Sequence, residues 1–415
     1  MNAFFSRRMV VLFAAALAAR VAFIAVSSEG AGELHEDAVS YYSYAQGLVE
    51  TGEYAAADGR RATRMPGYPL FLAGLMLCGI KSIIAIQLAQ AILGAGSCVL
   101  LYLLLRLLVA ENIAYAGGMT GALYFDMIRG SPRILSETFY AFVIISFFLL
   151  FNRMRKKPPS GMLLCGLCLG VGGLIRPECY LFALLMAGYV FISSGAGRFS
   201  RAALFALGFG LVIMPWIGRN YLLFQKVIPT TTTPGLNLYY GMGLTLKLMR
   251  PPQHTLVEIT GKGELEQDRE YMQLARQLYK STGAGLMFKV FSRNVSILFY
   301  PFHPYYDPTL FFLLPLWVIG LWVTRGDERY RAVTLFLGVS VAAYVLMGST
   351  VTRFRQSLAP GQIILACAGI AALYEKVDRR ILAKCAWIWT GVHGFIWAAA
   401  PWIRQLALKF RDMAW

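Results

Sequence analysis

Residues 83–105 read IIAIQLAQAILGAGSCVLLYLLL and contain no Asp, Glu, Lys or Arg. A helix of about 20 apolar residues is long enough to cross the ~30 Å hydrocarbon core of a membrane. Runs of similar length recur along the chain without the alternation of a membrane barrel. They predict an all-α polytopic membrane protein of about 11 spans. The predicted spans lie near residues 9–27, 83–105, 112–128, 136–152, 161–175, 179–193, 202–217, 309–324, 332–348, 357–374 and 385–402.

The composition of the 415 residues agrees with this class, since 57% are hydrophobic and only 15% are charged. A soluble protein of this length needs more charge to cover its surface. The net charge of +17 comes largely from Lys and Arg in short loops between apolar runs, where they set membrane orientation. No signature of a nucleic-acid-binding module accompanies it, so we expect no nucleic-acid partner.

The segment 66–80 is ambiguous, because it is about 15 residues long and carries two prolines. If it does not span, the basic loop clusters all fall on the cytoplasmic side with Arg7 and Arg8; if it spans, the clusters after it move outside. We therefore predict an interfacial helix on the outer face. The later clusters are Arg153, Arg155, Lys156 and Lys157; Arg198 and Arg201; Arg325, Arg329 and Arg331; and Lys376, Arg379 and Arg380.

This orientation places two long segments outside the cytoplasm. The first is the loop 28–82 with its interfacial helices, and the second is the loop 218–300, which includes a polar helical stretch at 264–280. We expect a single membrane-embedded domain, 1–415, whose functional residues face the extracytoplasmic side of the cell membrane.

Asp37 opens a helix-like stretch in the first outer loop, where Val39, Tyr42, Ala45 and Leu48 recur at helical spacing. One interpretation is a helix N-cap, or a first-turn acid that the helix dipole favours. The other is a carboxylate at the membrane surface that acts as a general base. The two interpretations are compatible.

Arg60, Arg61 and Arg64 precede a Pro-Gly-Tyr-Pro turn that leads into 66–80. A guanidinium at this depth either reaches lipid headgroups or binds a phosphate embedded at the bilayer edge.

Further charged and polar residues fall at predicted outer helix ends. Charged groups at membrane depth usually face a cavity or a partner. If they surround one cavity together with Asp37, that cavity suits an anionic lipid-linked substrate. These candidates are Glu137, Arg176 and Glu178, Arg219 and Asn220, and Arg353 and Arg355, with His35, Glu36 and Tyr68 in the first loop.

No HExxH, DxD or P-loop motif occurs in the sequence. A transferase that uses a lipid-monophosphate sugar does not need the metal that DxD holds, since one or two Arg side chains can stabilise its phosphate leaving group. We therefore expect no required cofactor and no metal ligands, while a divalent ion is left open.

Several short segments in a shared order resemble the GT-C membrane glycosyltransferases. The resemblance is to the branch that contains protein O-mannosyltransferases and lipid A aminoarabinose transferases, and it runs over most of the chain. The segments are HEDAVSYYSYAQGL (35–48), RMPGYPLFLAG (64–74), Ser136-Glu137-Thr138, LGVGGLIRP (169–177), PWIGRN (215–220) and TTTTPGLNLYYG (230–241).

The resemblance implies a role for three residues. Asp37 matches the family's first-loop acid, the base that deprotonates the acceptor hydroxyl, and Arg64 matches a basic residue that contacts the donor phosphate. Arg219 is implied as a second phosphate ligand. The order Glu36-Asp37 departs from the common Asp-Glu order, and we expect no large C-terminal soluble domain like that of some relatives. The acceptor class is therefore left open.

We therefore expect an inverting hexosyl or pentosyl transferase. Its partners would be a polyprenyl-phosphate sugar donor, membrane lipids and a glycan, lipid or protein acceptor. One alternative is a transporter or flippase of lipid-linked saccharides, which predicts midplane polar residues and repeated halves. Another is a non-catalytic envelope assembly protein, which would tolerate changes at Asp37 and Arg64.

Overall fold

A computed structural model describes residues 7–27, 34, 37–195, 197–249, 257–299, 307–346 and 352–413. Every regular element in these ranges is a helix, which confirms the all-α prediction. The helices are α1 (Arg7–Val26), α2 (Asp37–Thr51), α3 (Gly67–Leu77), α4 (Ile83–Leu105), α5 (Glu111–Leu123), α6 (Phe125–Arg129), α7 (Glu137–Met154), α8 (Ser160–Ile175), α9 (Glu178–Ser193), α10 (Arg198–Phe224), α11 (Pro234–Met249), α12 (Glu264–Ser281), α13 (Ala284–Phe299), α14 (Pro308–Val323), α15 (Arg331–Leu346), α16 (Phe354–Lys376) and α17 (Arg379–Met413).

Within the described ranges, five helices are long and apolar enough to cross a membrane, namely α1, α4, α7, α10 and α16. Five shorter apolar helices lie at Gly67–Leu77, Ser160–Ile175, Glu178–Ser193, Thr309–Val323 and Arg331–Leu346. The chain is thus an integral membrane protein, and the count of 11 spans stays a prediction. The segment 66–80 forms α3, whose 11 residues are about 16 Å long, too short for a crossing.

Several predicted spans differ from the observed helices in their bounds, among them 112–128 and 202–217. The run 112–128 is interrupted at Tyr124, whose extended backbone separates α5 from α6. The buried Arg20 donates a hydrogen bond to the carbonyl of Ala122 near the end of α5 (3.3 Å). This bond satisfies an acceptor that loses its intrahelical donor where the helix is interrupted. The predicted span 202–217 is part of α10, which continues through Pro215 to Phe224 and is followed by Gln225 in a left-handed conformation (φ 53°).

The described chain divides into two compact units. The first comprises Met1–Thr232, Asp327–Ser340 and Gln356–Ile364, and the second comprises Thr233–Gly326, Val341–Arg355 and Leu365–Trp415. The prediction of one functional domain is not tested by this division and stays a prediction.

In the first unit, α4 packs against α1, α5 and α7, and α8 lies along α10. Glycines permit the second contact, because a Cβ on Gly166 would lie 2.1 Å from the carbonyl oxygen of Phe205. Such small residues let membrane helices approach closely. The helices α2 and α3 pack on each other over a cluster that includes Ala38, Ala45 and Tyr68 and extends to Ile86 of α4, so both helices are fixed to the helical body.

In the second unit, α11 packs against the polar helix α12, whose position agrees with the predicted helical stretch 264–280. The carboxylate of Asp268 accepts hydrogen bonds from the backbone N–H groups of Gly235 (2.7 Å) and Leu236 (3.3 Å). These are orphan donors of the first turn of α11, so Asp268 acts as a cap supplied by a different helix.

Candidate active site

Asp37 and Arg64 form an ion pair in the first unit, with 2.5 Å between Oδ1 and Nη2. Asp37 is the first residue of α2, as predicted, and Arg64 lies in the segment between α2 and α3. The Asp37 side chain is 21% exposed and the Arg64 side chain is 31% exposed. The structure therefore brings the proposed base and the proposed phosphate ligand into direct contact, at a place that a reactant can reach.

The first turn of α2 orients the Arg64 guanidinium. Its Nε donates to the hydroxyl of Ser40 (3.2 Å), and its carbon lies 5.2 Å from the ring centroid of Tyr41. Ser40 and Tyr41 follow Asp37 by three and four residues, so the three side chains share one face of the helix. The spacing in the sequence contained this signal, but neither Ser40 nor Tyr41 was among the predicted site residues.

The backbone of Arg64 is held by Tyr54. Its hydroxyl donates to the Arg64 carbonyl (3.0 Å), and its ring stacks on the ring of Tyr44 at 4.5 Å. The Tyr44 hydroxyl bonds the Thr63 side chain (2.8 Å) and accepts from the Thr63 N–H (3.1 Å). Burial raises the pKa of Tyr54 well above 10, an effect that neighbouring Tyr44 and Tyr41 reinforce and Arg219 and Arg64 oppose, so the phenol keeps the proton that it donates.

Arg219 contacts the same loop from α10. Its guanidinium donates to the carbonyls of Tyr54 (2.6 Å) and Arg61 (3.0 Å) and to the side chain of Asn220 (3.0 Å). The guanidinium carbon lies 5.1 Å from the Tyr54 ring and 5.0 Å from the Trp216 ring. The sequence interpretation placed Arg219 and Asn220 just past a helix end; they lie instead within α10, because Pro215 does not end that helix.

Asn220 and Trp216 also hold the segment that follows α10. The buried Asn220 donates to the carbonyl of Ile228 (3.0 Å), and the Trp216 indole donates to the carbonyl of Thr230 (2.9 Å). The N–H of Thr232 in turn donates to the carbonyl of Ala62 (2.9 Å). The end of α10 therefore anchors both chain segments that flank the site.

Arg60 and Arg61, the other two arginines of the cluster before α3, pair with different acids. Arg60 lies 3.4 Å from Asp58, and Arg61 lies 3.3 Å from Glu53, both pairs being largely exposed. Arg64, the third arginine of the cluster, pairs with Asp37.

A second charged cluster joins the starts of α7 and α9 to the end of α8. The Arg176 guanidinium lies between Glu137 (2.8 Å) and Glu178 (3.3 Å), and all three side chains are at most 10% exposed. Arg176 also lies 5.4 Å from the ring of Tyr140. The structure thus brings Glu137 and Arg176 together in a nearly closed ion-pair cluster.

Tyr68, a predicted site residue on α3, packs edge-on against Tyr41 at 5.1 Å and interacts electrostatically with Glu137. Its hydroxyl donates to Gln90 of α4 (2.7 Å), and the Gln90 amide donates to the carbonyl of Arg133 (2.9 Å). Tyr68 therefore lies between the Asp37–Arg64 pair and the loop that leads into α7.

Four predicted site residues remain, namely Arg353, Arg355, His35 and Glu36. Arg355 and Arg353 belong to the second unit, where the buried Arg355 donates to the carbonyl of Ile297 through Nε (2.9 Å) and Nη2 (2.5 Å). His35 and Glu36 lie outside the described residues. In the part of the chain that is described, no three His, Cys, Asp or Glu side chains are grouped to hold a metal ion.

A family model described as dolichyl-phosphate-mannose-protein mannosyltransferase matches residues 63–218. This range includes Arg64, Glu137 and Arg176, whereas Asp37 precedes it and Arg219 follows it directly. A comparison with curated proteins at the level of sequence found no match.

Solved structures give a broader match. The oligosaccharyltransferase AglB from Archaeoglobus fulgidus, in complex with an inhibitory peptide and a dolichol-phosphate, matches with a TM-score of 0.56 and 12% identity, over 94% of this chain and 54% of that one. Its apo form matches with a TM-score of 0.57 and 14% identity, over 95% and 54%. ArnT from Cupriavidus metallidurans bound to undecaprenyl phosphate matches with a TM-score of 0.43 and 13% identity, over 88% and 78%.

The family model and the two oligosaccharyltransferase structures confirm the predicted GT-C fold of membrane glycosyltransferases. The chain spans about half the length of the oligosaccharyltransferases that it matches.

Proposed function

We propose that this protein transfers one sugar, with inversion, from a polyprenyl-phosphate donor to a hydroxyl acceptor on the extracytoplasmic side of the cell membrane. The observation that carries the proposal is the contact between Asp37 and Arg64, a carboxylate and a guanidinium that are both partly exposed. The reaction needs one group that accepts a proton and one that stabilises an anionic leaving group.

In the proposed step, the acceptor oxygen attacks the anomeric carbon while the bond from that carbon to the phosphate oxygen breaks. The acceptor proton passes to the Asp37 carboxylate, and the electron pair of the broken bond stays on the polyprenyl phosphate. Arg64 stabilises that phosphate, whose tetrahedral oxygens suit the fork of a guanidinium. One enzyme carboxylate is sufficient for this direct displacement.

The comparisons support the donor class. The family model that covers Arg64 is named for transferases of dolichyl-phosphate mannose, and one structure with the same fold was solved with dolichol-phosphate. The distribution of basic loop residues supports the extracytoplasmic side, because Lys and Arg clusters mark cytoplasmic loops.

The test is Asp37→Asn in the full chain, reconstituted in lipid nanodiscs. The assay measures transfer of the sugar from radiolabelled dolichyl-phosphate mannose to acceptors supplied by added host membranes. A parallel reaction uses dolichyl-phosphate arabinose. General-base catalysis contributes roughly 10²–10⁴-fold, so we expect a loss of that size. Asp58→Asn is the matched control, because Asp58 forms an exposed ion pair with Arg60 in the same loop, and it should retain wild-type turnover.

Near-wild-type transfer by a folded Asp37→Asn variant would remove Asp37 from the catalytic role. A flippase would move the donor from one leaflet of a vesicle membrane to the other without forming a new glycosidic bond. A wild-type protein that moves labelled donor and forms no such bond with either sugar would therefore favour transport.

A further inference from the structure

We infer that Arg219 is a positioning residue: it fixes the loop 54–64 and thereby places Arg64, and it does not itself bind the donor phosphate. The inference rests on the proposed role of Arg64 and revises the phosphate-binding role that the sequence implied for Arg219. It is carried by the hydrogen bonds of Arg219 to the carbonyls of Tyr54 and Arg61 and by its contacts with two aromatic rings.

The guanidinium of Arg219 is held by hydrogen bonds to the backbone and to Asn220. Nη2 donates to the carbonyl of Tyr54, and Nη1 donates to the carbonyl of Arg61 and to Asn220. Tyr54 and Arg61 are seven residues apart, at the two ends of a turn that is closed by the bond from Ala56 N–H to the Arg60 carbonyl (2.8 Å). One planar side chain therefore ties both arms of the turn to α10.

The guanidinium of Arg219 also lies next to two aromatic rings. Its carbon lies 5.1 Å from the ring centroid of Tyr54 and 5.0 Å from that of Trp216, and the two rings meet edge to face at 5.3 Å. Trp216 is 5% exposed and Tyr54 is 7% exposed. A cation in this place is attracted electrostatically by the faces of both rings, so the aromatic cluster stabilises its charge.

Tyr54 connects this cluster to Arg64. Tyr54 is the residue whose carbonyl accepts from Arg219 and whose hydroxyl donates to the carbonyl of Arg64. A change at Arg219 therefore acts on Arg64 through one intervening side chain and a short stretch of backbone. A displacement of about 1 Å at a catalytic group is enough to lower the rate substantially.

The experiment measures backbone hydrogen–deuterium exchange of peptides that cover 54–64, in the full chain in nanodiscs, for wild type, Arg219→Gln, Arg219→Lys and Arg64→Gln. Loss of one charge-assisted hydrogen bond of about 1.4 kcal/mol corresponds to roughly tenfold faster exchange. We expect that increase for both Arg219 variants, because an ammonium cannot reproduce a planar fork that donates to two carbonyls. Arg64→Gln should leave the exchange of 54–61 at the wild-type rate.

Tyr54→Phe is a milder second variant, since it removes only the hydroxyl that donates to Arg64. It should lower the kcat of transfer, because the bond from the hydroxyl to the backbone carbonyl of Arg64 is lost. Tyr42→Phe is the control, because the exposed Tyr42 hydroxyl donates to the carbonyl of Lys81 (3.2 Å) in a comparable bond outside the site. It should leave kcat and KM unchanged.

Binding of dolichyl phosphate, measured by native mass spectrometry, is compared with the exchange rates, and the two results together distinguish positioning from direct contact. Wild-type exchange of 54–64 in Arg219→Gln together with weakened binding, restored by Arg219→Lys, would overturn the inference. The exchange result does not depend on turnover. A failure of the proposed sugar transfer would appear instead as an inactive wild-type protein whose loop 54–64 still loosens in the Arg219 variants.

Discussion

The contact between α8 and α10 is expected to be intolerant of a single added methyl group at Gly166. A Cβ built there would lie 2.1 Å from the carbonyl oxygen and 3.0 Å from the carbonyl carbon of Phe205, and 2.9 Å from the backbone nitrogen of Phe209. These are backbone atoms, which cannot rotate away, so the helices must separate by about 1 Å to restore normal contact. Overpacking of this kind typically costs about 1–3 kcal/mol, and the loss of neighbouring packing adds to it.

The assay is thermal unfolding of purified Gly166→Ala, followed by size-exclusion chromatography after heating in detergent. The matched control is Gly210→Ala on α10, because a Cβ there meets nothing within 4 Å. Alanine is the better helix former, so the control should be as stable as wild type or slightly more stable. Equal unfolding temperatures for the two variants would refute the reasoning that backbone proximity sets the cost.

Two further changes test the charged groups. Arg176→Met should destabilise the folded protein by about 3–5 kcal/mol, because it leaves two nearly buried carboxylates without their cation. Arg155→Met, which breaks the pair of Arg155 with a mostly exposed glutamate, should cost no more than about 1 kcal/mol in the same unfolding assay. Asp268→Ala should cost about 1 kcal/mol through loss of the α11 cap and raise exchange at its first turn. Asp268→Asn should cost less, because burial raises the pKa of the Asp268 carboxyl and the amide keeps an acceptor without the buried charge; equal losses for Ala and Asn would contradict this.

Most helices could be predicted from the sequence because apolar runs report directly on burial in lipid. The positions of Asp37, Glu137 and Glu178 at helix starts followed from the same reasoning, since a polar residue before an apolar run marks a helix terminus. The interruption at Tyr124 was not predictable in this way. The carbonyl of Ala122, just before the interruption, accepts a hydrogen bond from Arg20, which is 102 residues away in the chain.

The surroundings of Arg64 show the same limit more sharply. The acid and the arginine were predicted to share one site, and they lie in contact. The aromatic residues that hold the loop, Tyr54 and Trp216, carry no local pattern, because their partners are set by tertiary packing across the first unit. The order of motifs in the sequence also does not distinguish a phosphate ligand from a positioning residue at Arg219.

The contact between Asp37 and Arg64 has a further consequence, since a donor phosphate that binds Arg64 must share the guanidinium with the Asp37 carboxylate. A carboxylate and a phosphate compete for the same donors and repel each other. Asp37→Asn should therefore bind dolichyl phosphate as tightly as wild type, or up to about tenfold more tightly, while transfer is lost. If Asp37 served only to hold Arg64 in place, the same substitution would weaken binding. Measuring binding and turnover on one variant thus separates the base from a structural counter-ion.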